Sequence, residues 1–349
     1  MNANHGTTTS VQDLDADKLA TWMKANVAGF EGPLSYSKFA GGQSNPTYRI
    51  AAATGSYVLR RKPFGPLLPS AHAVEREFKL ISGLHPTGYP VARPYALCED
   101  DKVIGSAFYV MELVQGVTYW NGALPDNTPE QRTAIYQEIV DRLAHLHNID
   151  YEKVGLGDYG KPGSYFERQV GRWTKQYRLA QTDDLPAAEK LIEWLPRTLP
   201  EQKRTSIVHG DYRIDNMIFA VNEPRVKAVL DWELSTLGDP MADFSYLLMN
   251  WVTPVNGAAG VAGITGPETG IPTIEQLVER YCAATGQDEI PDLNWYFAFC
   301  QFRLMGIAQG IKKRFLDGNA SNAQAEAVGP RVLMLAESAW KMAQKAGAV

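Results

Sequence analysis

The run Ile207-Val208-His209-Gly210-Asp211-Tyr212-Arg213-Ile214-Asp215-Asn216-Met217-Ile218-Phe219 sets an aspartate after an apolar stretch and an asparagine five residues beyond it. A second β-branched run, Ala228-Val229-Leu230, delivers Asp231. Asp211 can take a proton from a hydroxyl, while Asn216 and Asp231 can hold Mg²⁺. Hard oxygen ligands at two strand ends suit a phosphate-linked metal rather than zinc. The remaining chain must then supply a nucleotide cleft and an acceptor pocket.

The elements that position such a site follow from pattern. Length (349 residues) suits two lobes rather than one small core. Hydrophobic content of 45% and charged content of 21% fit a globular chain, and a net charge of -5 argues against nucleic acid as the main partner. Cys98, Cys282 and Cys300 are far apart, with no CxxC pair, so a cytoplasmic, reducing setting is expected. No apolar run reaches 18 residues, so no membrane span is expected. Residues 1–36 read as a polar tail and a packing helix carrying Leu19, Trp22, Met23 and Val27. Residues 37–113 read as a small antiparallel sheet with one helix. Two strands flank Gly41-Gly42-Gln43-Ser44-Asn45, a third ends in Arg60-Arg61-Lys62, and a helix opened by Ser70 carries Glu77.

From residue 114 the pattern becomes mainly helical. Thr128-Pro129-Glu130-Gln131 and Thr273-Ile274-Glu275-Gln276 are capping boxes that open helices, and Asp239-Pro240 opens another. Further helices are expected over 291–316 and 323–345. The glycine-rich stretch 252–272 reads as a lid or a disordered segment. His145 and His147, two apart on one helix, face different ways and do not form a joint metal site.

In order and spacing, these motifs resemble the aminoglycoside phosphotransferase and choline kinase family, relatives of the protein kinases, from about residue 37 to 320. His209-Gly210-Asp211, Asn216 and Asp231-Trp232-Glu233-Leu234-Ser235-Thr236-Leu237-Gly238-Asp239-Pro240 look closest to the branch of kinase-like domains fused to acyl-CoA dehydrogenases. The resemblance implies an α+β, two-lobed, protein-kinase-like fold, with a small sheet lobe over 37–113 and a larger helical lobe over 114–349. It implies ATP and Mg²⁺ as cofactors, with Asp211 as catalytic base and Asn216 and Asp231 as metal ligands. Gly41, Gly42, Gln43, Ser44 and Asn45 would cover the phosphates. Backbone groups of Glu112 and Val114 would read the adenine edge. Glu77 would hold the phosphate-binding cation, which is Arg60 where the family usually has lysine, with Lys62 as the other candidate. His209 would order the loop and Asp243 would brace its backbone. Arg213, two past Asp211, is assigned to the γ-phosphoryl charge in the transition state.

The acceptor is read from charge. Arg168, Arg172, Lys175 and Arg178 fall roughly on one helix face, Lys312-Lys313-Arg314 lies further on, and Trp251, Trp295, Tyr296, Phe299 and Phe302 occupy the same half. Together they predict an anionic or amphipathic small-molecule acceptor, a hydroxyacyl-CoA above all, rather than a polycationic aminoglycoside. The competing readings are an aminoglycoside phosphotransferase proper, a nucleotide-binding pseudokinase (Arg60 replaces lysine) and a protein kinase, for which no activation segment of usual length follows Asp231.

Overall fold

Composition changes at Gln115-Gly116, and there the chain divides: residues 1–115 and 116–349 form separate compact units. The computed structural model describes residues 14–39, 45–65, 72–255, 258–318 and 328–349.

In the first unit, Asp15 caps helix α1 (Ala16–Asn26) by accepting the Lys18 N–H at 3.1 Å. Leu19 and Met23, one turn apart, are fully buried. Strands β1 (Leu34–Lys38), β2 (Thr47–Ala52), β3 (Gly55–Arg61), β4 (Pro94–Cys98) and β5 (Phe108–Glu112) form one antiparallel sheet in the order β1-β2-β3-β5-β4. Ile50, Tyr57, Leu59, Phe108 and Val110 point to one face and join the α1 side chains in a single apolar core, where Trp22 meets Phe108 edge-on at 4.7 Å. Each such large side chain contributes about 1.5–3 kcal/mol when buried. Helix α2 (Val74–Leu84) starts four residues after Ser70, the expected opener; Ser70 itself lies outside the described residues.

The second unit carries both capping boxes. Thr128 and Gln131 exchange bonds at the start of α3 (Pro129–Asn148), as do Thr273 and Gln276 at the start of α7 (Ile274–Thr285) once the intervening elements are passed. Those elements are α4 (Tyr165–Ala180), α5 (Pro186–Trp194), β6 (Ser206–Val208), β7 (Met217–Phe219), β8 (Val226–Val229), β9 (Thr236–Gly238) and α6 (Met241–Leu248). Short ladders pair β6 with β9 and β7 with β8, both antiparallel. Helix α8 (Leu293–Leu316) matches the expected helix over 291–316. Helix α9 (Gly329–Lys345) is shorter than the expected 323–345, whose first residues lie outside the described ones. Among the described residues no helix is long and apolar enough to cross a membrane.

The stretch 252–272 corrects an expectation. Gly257 lies outside the described residues, but the described part is tied down rather than lid-like. The Val261 N–H donates to Asn250 O, Gly266 N–H to Ile271 O, and Gly122 N–H to Ala258 O, each at 2.8 Å. Trp251 Nε1 reaches Pro272 O at 2.7 Å, Arg132 reaches Thr269 O at 3.0 Å, and Thr133 Oγ1 reaches Gly270 O at 2.7 Å. Glycine content misled because Gly260 and Gly270 serve close approach, while Gly263 and Gly266 serve turns of positive φ. Gly270 has φ +74°, and a Cβ there would sit 1.9 Å from Pro129 O. Gly270→Ala is therefore expected to destabilise the second unit by about 1–3 kcal/mol. Urea unfolding checks this, and an unchanged midpoint would show that the segment is not anchored to α3.

Candidate active site

Strand β6 ends at Val208 and β7 begins at Met217, so residues 209–216 form the connection between two different ladders. A connection of this kind needs its backbone polar groups satisfied from outside. Asp243, on α6 and fully buried, does this with both oxygens: the His209 N–H donates to Oδ2 at 2.6 Å and the Gly210 N–H to Oδ1 at 2.8 Å. His209 is also fully buried. Its Nδ1 accepts the Asp211 N–H at 3.1 Å while Nε2 lies 2.8 Å from Leu230 O, an arrangement that calls for the neutral Nε2–H tautomer. Tyr212 also turns inward, its ring edge-on to that of His209 at 5.8 Å and its hydroxyl donating to Ile139 O at 2.8 Å. The loop thus alternates anchors inward and leaves Asp211 half-buried at the tip.

Three sequence-predicted residues of this unit stand on adjoining strand ends. The Leu230 N–H donates to Asn216 O at 2.8 Å, which ties the start of β7 to the end of β8 just before Asp231. Asn216 Nδ2 donates to Asp211 O at 2.9 Å and to Asp211 Oδ2 at 3.1 Å. With the amide nitrogen so used, its oxygen is the end left to face a cation. An amide oxygen and a carboxylate oxygen fit Mg²⁺ when phosphates supply further ligands. Asp231 has φ +63°, the left-handed region, which turns its side chain out of the β8 direction. Arg213 reaches two carboxylates: Nη2 is 2.7 Å from Asp215 Oδ2, and Nε is 3.6 Å from Asp211 Oδ1. Burial raises the Asp215 carboxyl above its usual range, and Arg213 opposes that rise.

In the first unit, the cross-strand pair Arg60 and Tyr109 faces α2. Both reach Glu77: Arg60 Nε lies 2.8 Å from Oε2, and the Tyr109 hydroxyl donates to Oε2 at 3.1 Å. Lys62 instead pairs with Glu75 at 2.9 Å, so the cation opposite Glu77 is Arg60. Asn45 is fully buried and its Nδ2 donates to Glu77 Oε1 at 2.9 Å, while its Oδ1 lies 3.1 Å from His72 Nδ1. Its side chain therefore braces the glutamate. Gly41, Gly42, Gln43 and Ser44 lie outside the described residues. At Glu112 the backbone N–H donates to Arg93 O at 2.9 Å and the side chain accepts from the Arg93 N–H, so the carbonyl is the group left for an adenine edge. Val114 is partly buried just beyond β5.

The basic face is less of a face than its spacing predicts. Arg168 folds back onto the carbonyls of Gly163 and Lys161, and Arg178 pairs with Glu189. Lys312 pairs with Asp183 and Lys313 with Asp317. Arg172 and Lys175 remain exposed cations. Trp251, Trp295, Tyr296, Phe299 and Phe302 are core residues, none more than 7% exposed, packed partly on Phe166, and do not line an acceptor surface. One loop partner, Arg303, carried no motif at all. Only folding shows that Arg303 donates to Gly210 O at 2.6 Å.

The pattern of the phosphotransferase enzyme family matches residues 35–284. Mouse acyl-CoA dehydrogenase family member 10 is 46% identical over 318 residues, covering 90% of this chain, which spans 30% of that relative's length. A crystal structure from Ralstonia eutropha, provisionally named an aminoglycoside phosphotransferase, is 48% identical with TM-score 0.89, covering 95% of this chain and 99% of the other. A spectinomycin phosphotransferase solved with ADP and spectinomycin shares 12% identity and a TM-score of 0.61, covering 95% of this chain and all of its own, 100%. The fold is the α+β, protein-kinase-like one expected.

Behind Asp243 lies His147, fully buried on α3, with Nε2 3.6 Å from Asp243 Oδ2 and Nδ1 2.7 Å from the Tyr281 hydroxyl. Burial lowers its pKa from the ordinary 6.5, opposed by Asp243. A histidine held neutral when folded but titrating at 6.5 when unfolded stabilises the fold fully above that pH. Its contribution is lost as pH falls from there toward the depressed folded pKa. Stability of the wild-type chain should therefore decline below about pH 6.5, and His147→Gln should flatten that slope. Urea titrations at stepped pH measure it; parallel slopes in the two proteins would contradict it.

Proposed function

The chain belongs to the phosphotransferase enzyme family, and from that premise we propose an ATP-dependent O-phosphotransferase whose acceptor is a small anionic or amphipathic alcohol. The observation that carries the reading is the joining of Asp211, Asn216 and Asp231 through the Asn216 amide and the Asn216–Leu230 backbone bond. Asp211 takes the proton of the acceptor hydroxyl as its oxygen bonds to the γ-phosphorus and the bond to the ADP oxygen breaks. Arg213, already beside Asp211, carries positive charge toward the phosphoryl oxygens. Asn216 and Asp231 would hold Mg²⁺, which neutralises phosphate charge when bound. In the first unit Arg60 takes the place of the usual lysine toward the phosphates. Its fork is anchored by Glu77, which Asn45 and Tyr109 hold in turn.

For the acceptor we favour a hydroxyacyl-CoA. Support comes from the exposed Arg172 and Lys175 and from the mouse relative, whose name is that of an acyl-CoA dehydrogenase family member. Pairing of the neighbouring cations narrows the charge argument. The reading of an aminoglycoside phosphotransferase proper draws on the names of the two structural neighbours. A pseudokinase draws on Arg60 alone. Steady-state ATP turnover with hydroxyacyl-CoA, choline and aminoglycoside panels separates these. Asp211→Asn is expected to lower turnover at least about 100-fold, and Arg213→Ala to lower kcat more than it raises KM for ATP. Turnover with aminoglycosides alone would refute the anionic acceptor, and full kcat in Arg213→Ala would remove that residue from the transition state.

A further inference from the structure

Gly210, the residue before Asp211, is constrained at every polar and steric point. Its φ is +85°, and a Cβ there would meet Leu234 O at 2.7 Å. Its N–H is taken by Asp243 on α6 and its carbonyl by Arg303 on α8, at 2.8 and 2.6 Å. The Arg303 guanidinium is itself walled by two rings: its Cζ lies 5.7 Å from the Trp173 centroid and 5.2 Å from the Tyr246 centroid. Aromatic faces hold a planar cation without consuming its N–H donors, so the fork stays available to Gly210.

The Tyr246 ring is 6% exposed, and burial, with the charge of Asp211, pushes its hydroxyl pKa up. Tyr246 follows Asp243 by three residues on α6, so both project from one helix face. That face meets His209 and Gly210 through Asp243 and carries the ring that walls Arg303.

We propose that Arg303 is a positioning residue of this site: it fixes the Gly210–Asp211 peptide, its guanidinium held between the Trp173 and Tyr246 rings. The assignment of its consequence to turnover rests on the phosphotransferase reading above; the clamp itself does not. Hydrogen–deuterium exchange of residues 207–216 and steady-state kinetics on the full chain test it, using Arg303→Met, Arg303→Lys and Tyr246→Phe, with MgADP binding as a control. Arg303→Met should speed exchange at Gly210–Arg213 by about tenfold or more, with β7 and β8 unchanged. Its kcat should fall about 10–100-fold while KM for ATP and the MgADP Kd stay within about twofold. Arg303→Lys should restore part of both, since it can donate one bond to Gly210. Tyr246→Phe, which keeps the ring against Arg303, should leave exchange protected. Unchanged exchange in both Arg303 variants overturns the clamp. So does a loss of kcat in Arg303→Met that lysine leaves equally low while exchange stays at wild-type rates. If wild-type protein turns over no ATP with any acceptor, the phosphotransferase reading fails, and exchange still decides the clamp. Should Arg303→Met not fold, the lysine variant carries the same comparison.

Discussion

A single buried carboxylate, that of Asp243, governs the second unit. Two consecutive backbone N–H groups, those of His209 and Gly210, need acceptors where no strand continues. Left unpaired in a buried setting, each would cost about 1–3 kcal/mol. One side chain from α6 satisfies both, and the loop's path is then dictated: His209 turns in toward Leu230 O, Tyr212 turns in toward Ile139 O, and Asp211 is left at the tip. The carboxylate has its own support in His147 and Tyr281, where Tyr281 also stacks on Phe244 at 4.0 Å. The anchored loop thus draws on α3, α6, α7 and α8 at once, which is how distant helices come to bear on the geometry of one aspartate.

The first unit shows the same economy around Glu77. Its carboxylate gathers an arginine, a tyrosine hydroxyl and an asparagine amide, from β3, β5 and the segment before β2. Such a crowded anion suits an arginine better than a lysine: the planar fork can bond Glu77 through one edge and keep other donors for a second anion. Lys62 is drawn away to Glu75, which leaves Arg60 as the cation opposite Glu77.

Charge read along a helix and charge presented by a folded surface are different quantities. The cations of α4 sit at helical spacing, yet Arg178 is paired with Glu189 and Arg168 spends its donors on the backbone carbonyls of Gly163 and Lys161. The aromatic cluster of α8 behaves likewise. Its residues are apolar enough to line a ligand pocket, but Phe166 and its neighbours enclose them, since burial of large rings is worth more than their exposure.

Much was legible beforehand because it depends on neighbours a few residues apart. Both capping boxes, the strand runs before His209 and Asp231, the antiparallel sheet, and the spacing from Asp211 to Asn216 all follow from periodicity and local hydrogen bonding. The inward turn of Asn45, the tethering of the glycine-rich stretch to α3, and the pairing of Arg178 with Glu189 did not follow, because each requires a partner that local patterning cannot name. The clearest case is Arg303, 93 positions from the Gly210 carbonyl it meets. The amino-acid order alone determined which residues could do phosphate chemistry. Only the tertiary structure decided which buried groups hold them in place, because satisfying a buried polar atom is a question of proximity in space.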